Sequence, residues 1–208
     1  LSVGTGADVG GVWGSPPVRG RVVYLAAEDP QEVLVRRLYA LAPMLDQVAR
    51  EGGAAELVDI LPAYGLGITI ANQTVGGGVM PSMMWRSLEE HLEQARPRLL
   101  ILDTLNRLLG GISENDSGAM GAVLSIIEQT CRKVGCAVVV VHHTNKASMS
   151  SGTGNEQHAA RGSSAITDNA RWQANLTTMS RDEADRRGIE DEAERRRWVR
   201  LDLAKVNY

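Results

Sequence analysis

The sequence predicts an α/β fold built on an open, mostly parallel sheet. Three observations predict it. The aliphatic runs Val22–Ala27, Leu99–Leu102 and Ala137–Val141 carry almost no polar residue, as expected of strands covered on both faces. Segments with helical spacing separate the runs. Each run ends on polar side chains, at Glu28-Asp29, Asp103-Thr104 and His142-His143.

The elements follow in order. "GRVVYLAAEDP" is a buried strand closed by Pro30. In "PQEVLVRRLYALAPML", Val33, Leu34, Leu38, Leu41 and Leu45 recur near a helical period. "AAELVDILPAYG" predicts a short strand around Leu57–Leu61, and "GLGITIANQTVGGG" a Gly-rich mobile loop. "SMMWRSLEEHLEQA" is an amphipathic helix with Met84, Leu88 and Leu92 on its apolar face. After the strand Leu99–Leu102, "GAMGAVLSIIEQTCRKVG" predicts a helix capped by Ser117 and stopped by Gly135. Residues 147–160 hold almost no large apolar side chain and are expected to form a loop. "SSAITDNARWQANLTTMS" and "RRWVRLDLAKVNY" read as later strands, the second with alternating side chains. The charged "RDEADRRGIEDEAERR" between them is exposed, and no internal repeat is visible.

Composition bounds the function. With 208 residues, 43% hydrophobic and 23% charged, the chain is long enough for one globular domain with a sizeable core. It holds no apolar run of membrane-spanning length and no signal-peptide pattern, so no membrane partner is expected. Two cysteines, Cys131 and Cys136, are too few for a disulfide framework, their spacing is not a zinc motif, and a cytoplasmic location is expected. The net charge of −3 argues against a uniformly basic nucleic-acid surface. It leaves room for a local basic loop or a ring with a basic lining. Lysine occurs only at 133, 146 and 205, and the Arg bias reads as base composition. A start at Leu1 rather than Met is the expected mark of a fragment.

In parallel sheets, ligands bind at the carboxyl ends of the strands. An aliphatic strand running into Asp103 is the Walker B arrangement, whose carboxylate holds Mg2+ directly or through water. The structural alternative is an Asp that forms a turn or caps a helix. Glu28 is placed to act as general base on an attacking water. The alternative there is an acid at a helix start, which suits Asp29 better than Glu28. Consecutive histidines point to opposite faces, so one of His142 and His143 faces the site. Hydrogen bonding to phosphate is favoured over metal ligation, because adjacent histidines rarely share an ion and His158 lies in a loop. A triphosphate site also needs G-x-x-x-x-G-K-[ST]. These residues contain none: "SVGTGADVGGVWG" has glycines but no lysine and does not sit between strand and helix.

The ordered pieces "VVYLAAEDP", "LLILDTLNRL", "VVVVHHTNK", "ARGSSAITDNARWQ" and "VRLDLAKVNY" resemble the hexameric plasmid replicative helicases of the RepA family, in the RecA/DnaB superfamily of ATPases. The likeness runs from about Gly20 to Tyr208, and "RRLYAL" also fits. It implies one RecA-like P-loop NTPase domain over residues 1–208, with a mostly parallel twisted sheet flanked by helices and antiparallel strands at the C-terminal edge. It also implies that "LSVGTG" is the end of the helix after the phosphate loop, so that the domain is N-terminally incomplete. Glu28 matches the catalytic glutamate and Asp103 the Walker B aspartate that holds Mg2+, with Thr104 beside it at the nucleotide. His143 matches the γ-phosphate sensor, with His142 sharing that role. Arg171 matches an arginine finger acting on the neighbouring subunit's nucleotide. Lys205 matches the lysine of a K-x-R element whose arginine position is Asn207 here. Structural alternatives stand beside these: Arg171 as a surface ion-pair partner, Lys205 as a solvent-facing residue on an alternating strand. The loop 147–160, flanked by Lys146 and Arg161, corresponds to a pore loop on single-stranded DNA. The loop has no aromatic for stacking, and an ordinary surface loop is the alternative. The implied cofactors are ATP and Mg2+. The implied partners are further copies in a hexamer, single-stranded DNA, and a replication initiator or primase. Two rival functions are another DNA-dependent ATPase of the superfamily, recombinase-like or regulatory, and a non-catalytic module without the phosphate loop.

Overall fold

The computed structural model describes residues 2–6, 8, 11, 18–50, 57–143 and 164–207. The chain divides into two compact units. One comprises Leu1–Ser113 and Ala122–His142, the other Glu114–Gly121 and His143–Tyr208.

The first unit is built on β1 (Val22–Ala26), β2 (Val58–Pro62), β5 (Leu99–Asp103) and β6 (Ala137–Val140). They form one parallel sheet in the order β2-β1-β5-β6, flanked by helices. The aliphatic runs account for its centre. Val23, Leu100 and Leu102 are fully buried in β1 and β5, where neighbouring strands and covering elements leave no solvent face. The outer strand β6 departs from the expected two-sided burial. Among the described residues β6 is paired on one side only, and Val139 within it and Val141 just beyond it are 39% and 37% exposed.

Helix α1 (Ser2–Thr5) covers part of "LSVGTG" and ends at Gly6, whose φ of +74° closes the turn. Helix α2 (Gln31–Arg50) starts directly after Pro30 and runs through Pro43. Helix α3 (Met83–Ala95) is capped by Ser82, whose side chain accepts from the Trp85 amide at 2.9 Å. Its buried face is Trp85, Leu88 and Leu92, while Met84 is 45% exposed. The indole has the larger apolar area and displaces Met84 from the expected stripe, and its Nε1 donates to Thr130 Oγ1 at 3.0 Å. Thr130 lies on α5 (Ser117–Val134), so this bond and the Lys133 ion pairs with Glu89 and Glu93 tie α3 to α5. The cap of α5 is Asp116 rather than Ser117. Asp116 Oδ1 accepts from the amides of Gly118 and Ala119, both at 3.0 Å. Gly135 ends the helix at φ +78° as expected, with its amide on Cys131 O at 2.8 Å.

The Gly-rich segment expected as a mobile loop is instead a β-hairpin. Strands β3 (Ala71–Gln73) and β4 (Val79–Pro81) pair antiparallel around a turn in which Thr74 N donates to Gly78 O at 2.8 Å. The glycines fit the turn, with Gly77 at φ +80°. A short helix α4 (Leu105–Leu108) follows β5.

In the second unit, the segment expected as one strand splits into α6 (Ser164–Asn169) and β7 (Trp172–Thr178). The charged stretch carries α7 (Arg181–Arg186) and α8 (Glu192–Arg195). Ser180 and Glu183 form a capping box at α7. Strand β8 (Val199–Val206) pairs antiparallel with β7, with a bulge between Gln173 and Ala174. The alternation of β8 holds: Leu201 and Leu203 share an exposed face with Leu176, while Arg200 and Asp202 pair at 2.8 Å on the other.

Candidate functional site at the strand ends

Parallel register places the ends of β1, β5 and β6 at one edge of the sheet. Ala26 is opposite Asp103, and Ala27 N donates to Asp103 O at 2.5 Å. Glu28 is therefore the next residue beyond the β1–β5 pairing. On the other side, Val141 N donates to Leu102 O and Leu105 N to Val141 O, both at 2.9 Å. This carries the β5–β6 ladder past the strand ends and sets His142 at the same edge. Glu28, Asp103, Thr104 and His142 thus share one edge within one compact unit.

Asp103 is held by a residue that sequence reasoning passed over. Tyr24 lies two residues before Ala26 on the same face of β1, and its hydroxyl donates to Asp103 Oδ2 at 2.5 Å. Burial and the Asp103 carboxylate both push the Tyr24 hydroxyl well above its usual range, so it remains a donor. Its signal in the sequence was slight: one hydroxyl-bearing side chain inside "VVYLA", in phase with the strand end.

Thr104 is 3% exposed, and among the described residues its Oγ1 is buried with no hydrogen-bond partner. It occupies the N-cap position of α4, yet its side chain makes no capping bond, and the Asp103–Thr104 peptide is cis. A carboxylate at the sheet edge beside an unused buried hydroxyl is a donor set that fits a hydrated Mg2+ ion and a phosphate oxygen. Among the described residues no three His, Cys, Asp or Glu side chains cluster to hold a metal unaided.

Asp29, read from the sequence as an acid facing the helix dipole, is instead an ion-pair partner of α2. Its carboxylate is engaged by both terminal nitrogens of Arg37, one turn into α2 and beyond, with Arg37 Nη2 at 3.2 Å from Oδ1. Glu28 is half-buried and His143 exposed. His143 belongs to the second unit, as do Arg171 and Lys205. There, Arg171 is exposed at the start of β7, and its carbonyl accepts from Asn207 N at 3.0 Å. Lys205 is opposite Gln173, which puts Arg171 and Lys205 on one face at one end of the ribbon. Lys205 Nζ donates to the Thr167 and Asp168 carbonyls, both at 2.9 Å, holding the end of α6 with two of its three donors. Lys146 and Arg161 lie outside the described residues. A larger concavity of about 640 Å3 in the second unit, lined by Asp191, Glu194, Arg197 and Trp198, includes no residue singled out in the sequence. No helix among the described residues is long and apolar enough to cross a membrane.

Compared with known protein families, residues 1–149 match the AAA domain family AAA_25. The match covers all three aliphatic strands and their polar ends.

Proposed function

We propose, from the premise that this chain belongs to the AAA domain family AAA_25 and so to the nucleotide-binding ATPases, that it is an ATP-dependent replicative DNA helicase. Residues 1–208 serve in this reading as one RecA-like ATPase domain. The observation that carries the nucleotide chemistry is the register that sets Glu28 two residues past the Ala26–Asp103 pair, with Asp103 gripped by Tyr24.

In this reading Asp103 and Thr104 would hold Mg2+ and the phosphate chain, Asp103 with its carboxylate aimed by Tyr24. Bound Mg·ATP supplies the scissile phosphoanhydride and neutralises charge as that bond breaks. Glu28 orients the attacking water and takes its proton. His143, with His142, donates hydrogen bonds at the γ-phosphate and reports its loss. Arg171 reaches a neighbouring subunit's nucleotide, assisted by Lys205, which makes a homo-hexameric ring the natural assembly. The segment 147–160, flanked by Lys146 and Arg161, would contact the phosphates of single-stranded DNA. A replication initiator or primase is the expected protein partner, in the cytoplasm.

The test pairs two assays: ATP hydrolysis with and without single-stranded DNA, and strand displacement on a forked duplex. Stimulated hydrolysis with displacement is expected. Stimulated hydrolysis without displacement would reassign the chain to the recombinase-like or regulatory ATPases, and absence of hydrolysis by a protein that carries a phosphate loop before Leu1 to a non-catalytic module.

A further inference from the structure

A cavity of about 400 Å3 opens beyond the ends of β1 and β2, with α4 on its rim. Tyr64, Gly65, Gly67, Ile68 and Arg107 line it, and Ala27 and Ala63 form its base. It takes in neither Asp103 nor His142.

Three features give it a chemistry. The first is the backbone of the turn. Gly65 and Gly67 have φ of +75° and +63°, while Tyr64 and Leu66 keep negative φ, so the sign alternates along four residues. Leu66 N donates to Ala63 O at 3.2 Å and closes the turn, which leaves the Gly65 and Gly67 amides on either side of it to meet an anion. Nothing lies within 4 Å of a Cβ built on either glycine, so the glycines serve backbone conformation and not close packing. Among the described residues the Gly65 and Gly67 amides make no backbone hydrogen bond. The second is charge. Arg107 projects from α4 to the cavity, is exposed, and its guanidinium has no partner among the described residues. The third is an aromatic surface: Tyr64 is 51% exposed.

The cavity is held open by bonds at both ends of the turn. Ala63 N donates to Ala26 O at 2.7 Å, and Ile70 N donates to Leu108 O at 2.8 Å, next to Arg107. Ser82 adds bonds to Thr69 O and, through its amide at 3.0 Å, to Ile70 O. The amides, the guanidinium and the ring are therefore positioned before any ligand arrives.

We propose that this cavity binds one nucleotide unit, its phosphate on the Gly65–Gly67 amides and Arg107 and its base against Tyr64. Cationic and amide donors beside an exposed ring are the pairing by which single strands are held without sequence preference. The volume suits a mononucleotide. The nucleotide comes either from a single strand or from the free pool, and the assignment does not depend on ATP hydrolysis.

The test titrates the full 208-residue chain, without Mg2+ or ATP, with inorganic phosphate, dTMP and a dT 15-mer. A 15-mer carrying 5-iodouracil adds a photocrosslink mapped by mass spectrometry. Arg107→Ala is expected to weaken dTMP binding about tenfold. Tyr64→Ala is expected to do so about fivefold or more, and Tyr64→Phe to bind as wild type, since the ring carries the stacking. Phosphate should compete, and the crosslink should map to Tyr64. Asp103→Asn should leave dTMP affinity unchanged, which separates this site from the nucleotide-hydrolysing one. A 15-mer binding far more tightly than dTMP identifies the single strand as the source, and equal affinities identify the free nucleotide. Unaltered melting temperatures keep folding out of the comparison. The proposal is overturned if dTMP does not bind, if Arg107→Ala leaves its affinity unchanged, or if Tyr64→Ala is neutral, which would leave only a bare anion site.

Discussion

Tyr24 decides how Asp103 is presented. A carboxylate at a strand end can swing through its rotamers, and the Tyr24 hydroxyl on Oδ2 fixes one. Tyr24→Phe removes that donor with little change in shape. It should cost about 1.5–3 kcal/mol in urea denaturation, the range for a hydrogen bond to a charged acceptor. The pH dependence has a defined sign. The folded protein holds the Tyr24 hydroxyl above its unfolded value. Its contribution is therefore complete at neutral pH, and it is lost as pH rises beyond about 10. The wild-type advantage over Tyr24→Phe should be constant from pH 6 to 9 and shrink above that; an advantage that grows in alkali would contradict the assignment. The strand-end positions of Glu28 and Asp103 were legible in the sequence because an aliphatic run that stops on a carboxylate is visible in one dimension. Tyr24 was not, because its partner is 79 positions away and only the strand register brings the two together.

At the scale of elements, periodicity located the parallel strands and the three long helices to within a few residues. It failed where composition pointed the wrong way. The glycines of 76–78 read as a loop, yet they are what a tight hairpin turn between β3 and β4 requires. "SSAITDN" carries β-branched residues and reads as strand, yet it forms α6, whose last carbonyls are held by Lys205 from a distant strand. The aliphatic run of β6 could not reveal that Val139 is partly exposed, because exposure depends on neighbours and not on composition. That difference is measurable. Val23→Ala, in the fully buried centre of β1, should cost about 2–3 kcal/mol. Val139→Ala, on the exposed side of β6, should cost less than about 1 kcal/mol. Equal costs would place β6 inside a covered sheet. Asp116→Ala should cost about 1 kcal/mol through loss of the α5 cap, read in urea denaturation.

For the whole molecule, the sequence ordered the pieces correctly. The parallel sheet, the polar strand ends and the C-terminal antiparallel pair are all present. The family match reaches residue 149, so Arg171 and Lys205 rest on their placement at one end of the β7–β8 ribbon and on the resemblance alone. Their proposed role acts between copies, and mixing tests it. Arg171→Ala and Glu28→Gln subunits, each inactive alone, should regain ATP turnover when combined, because some interfaces then pair an intact Glu28 with an intact Arg171. Mixtures as inactive as their components would remove the trans role. The most direct measurement of the nucleotide site itself is ATP affinity and ATP turnover compared side by side for wild type and Glu28→Gln. Affinity within about threefold and turnover lowered at least about 100-fold is the predicted result, as for loss of a general base. Turnover near the wild-type rate would contradict the assignment of the strand ends to ATP hydrolysis.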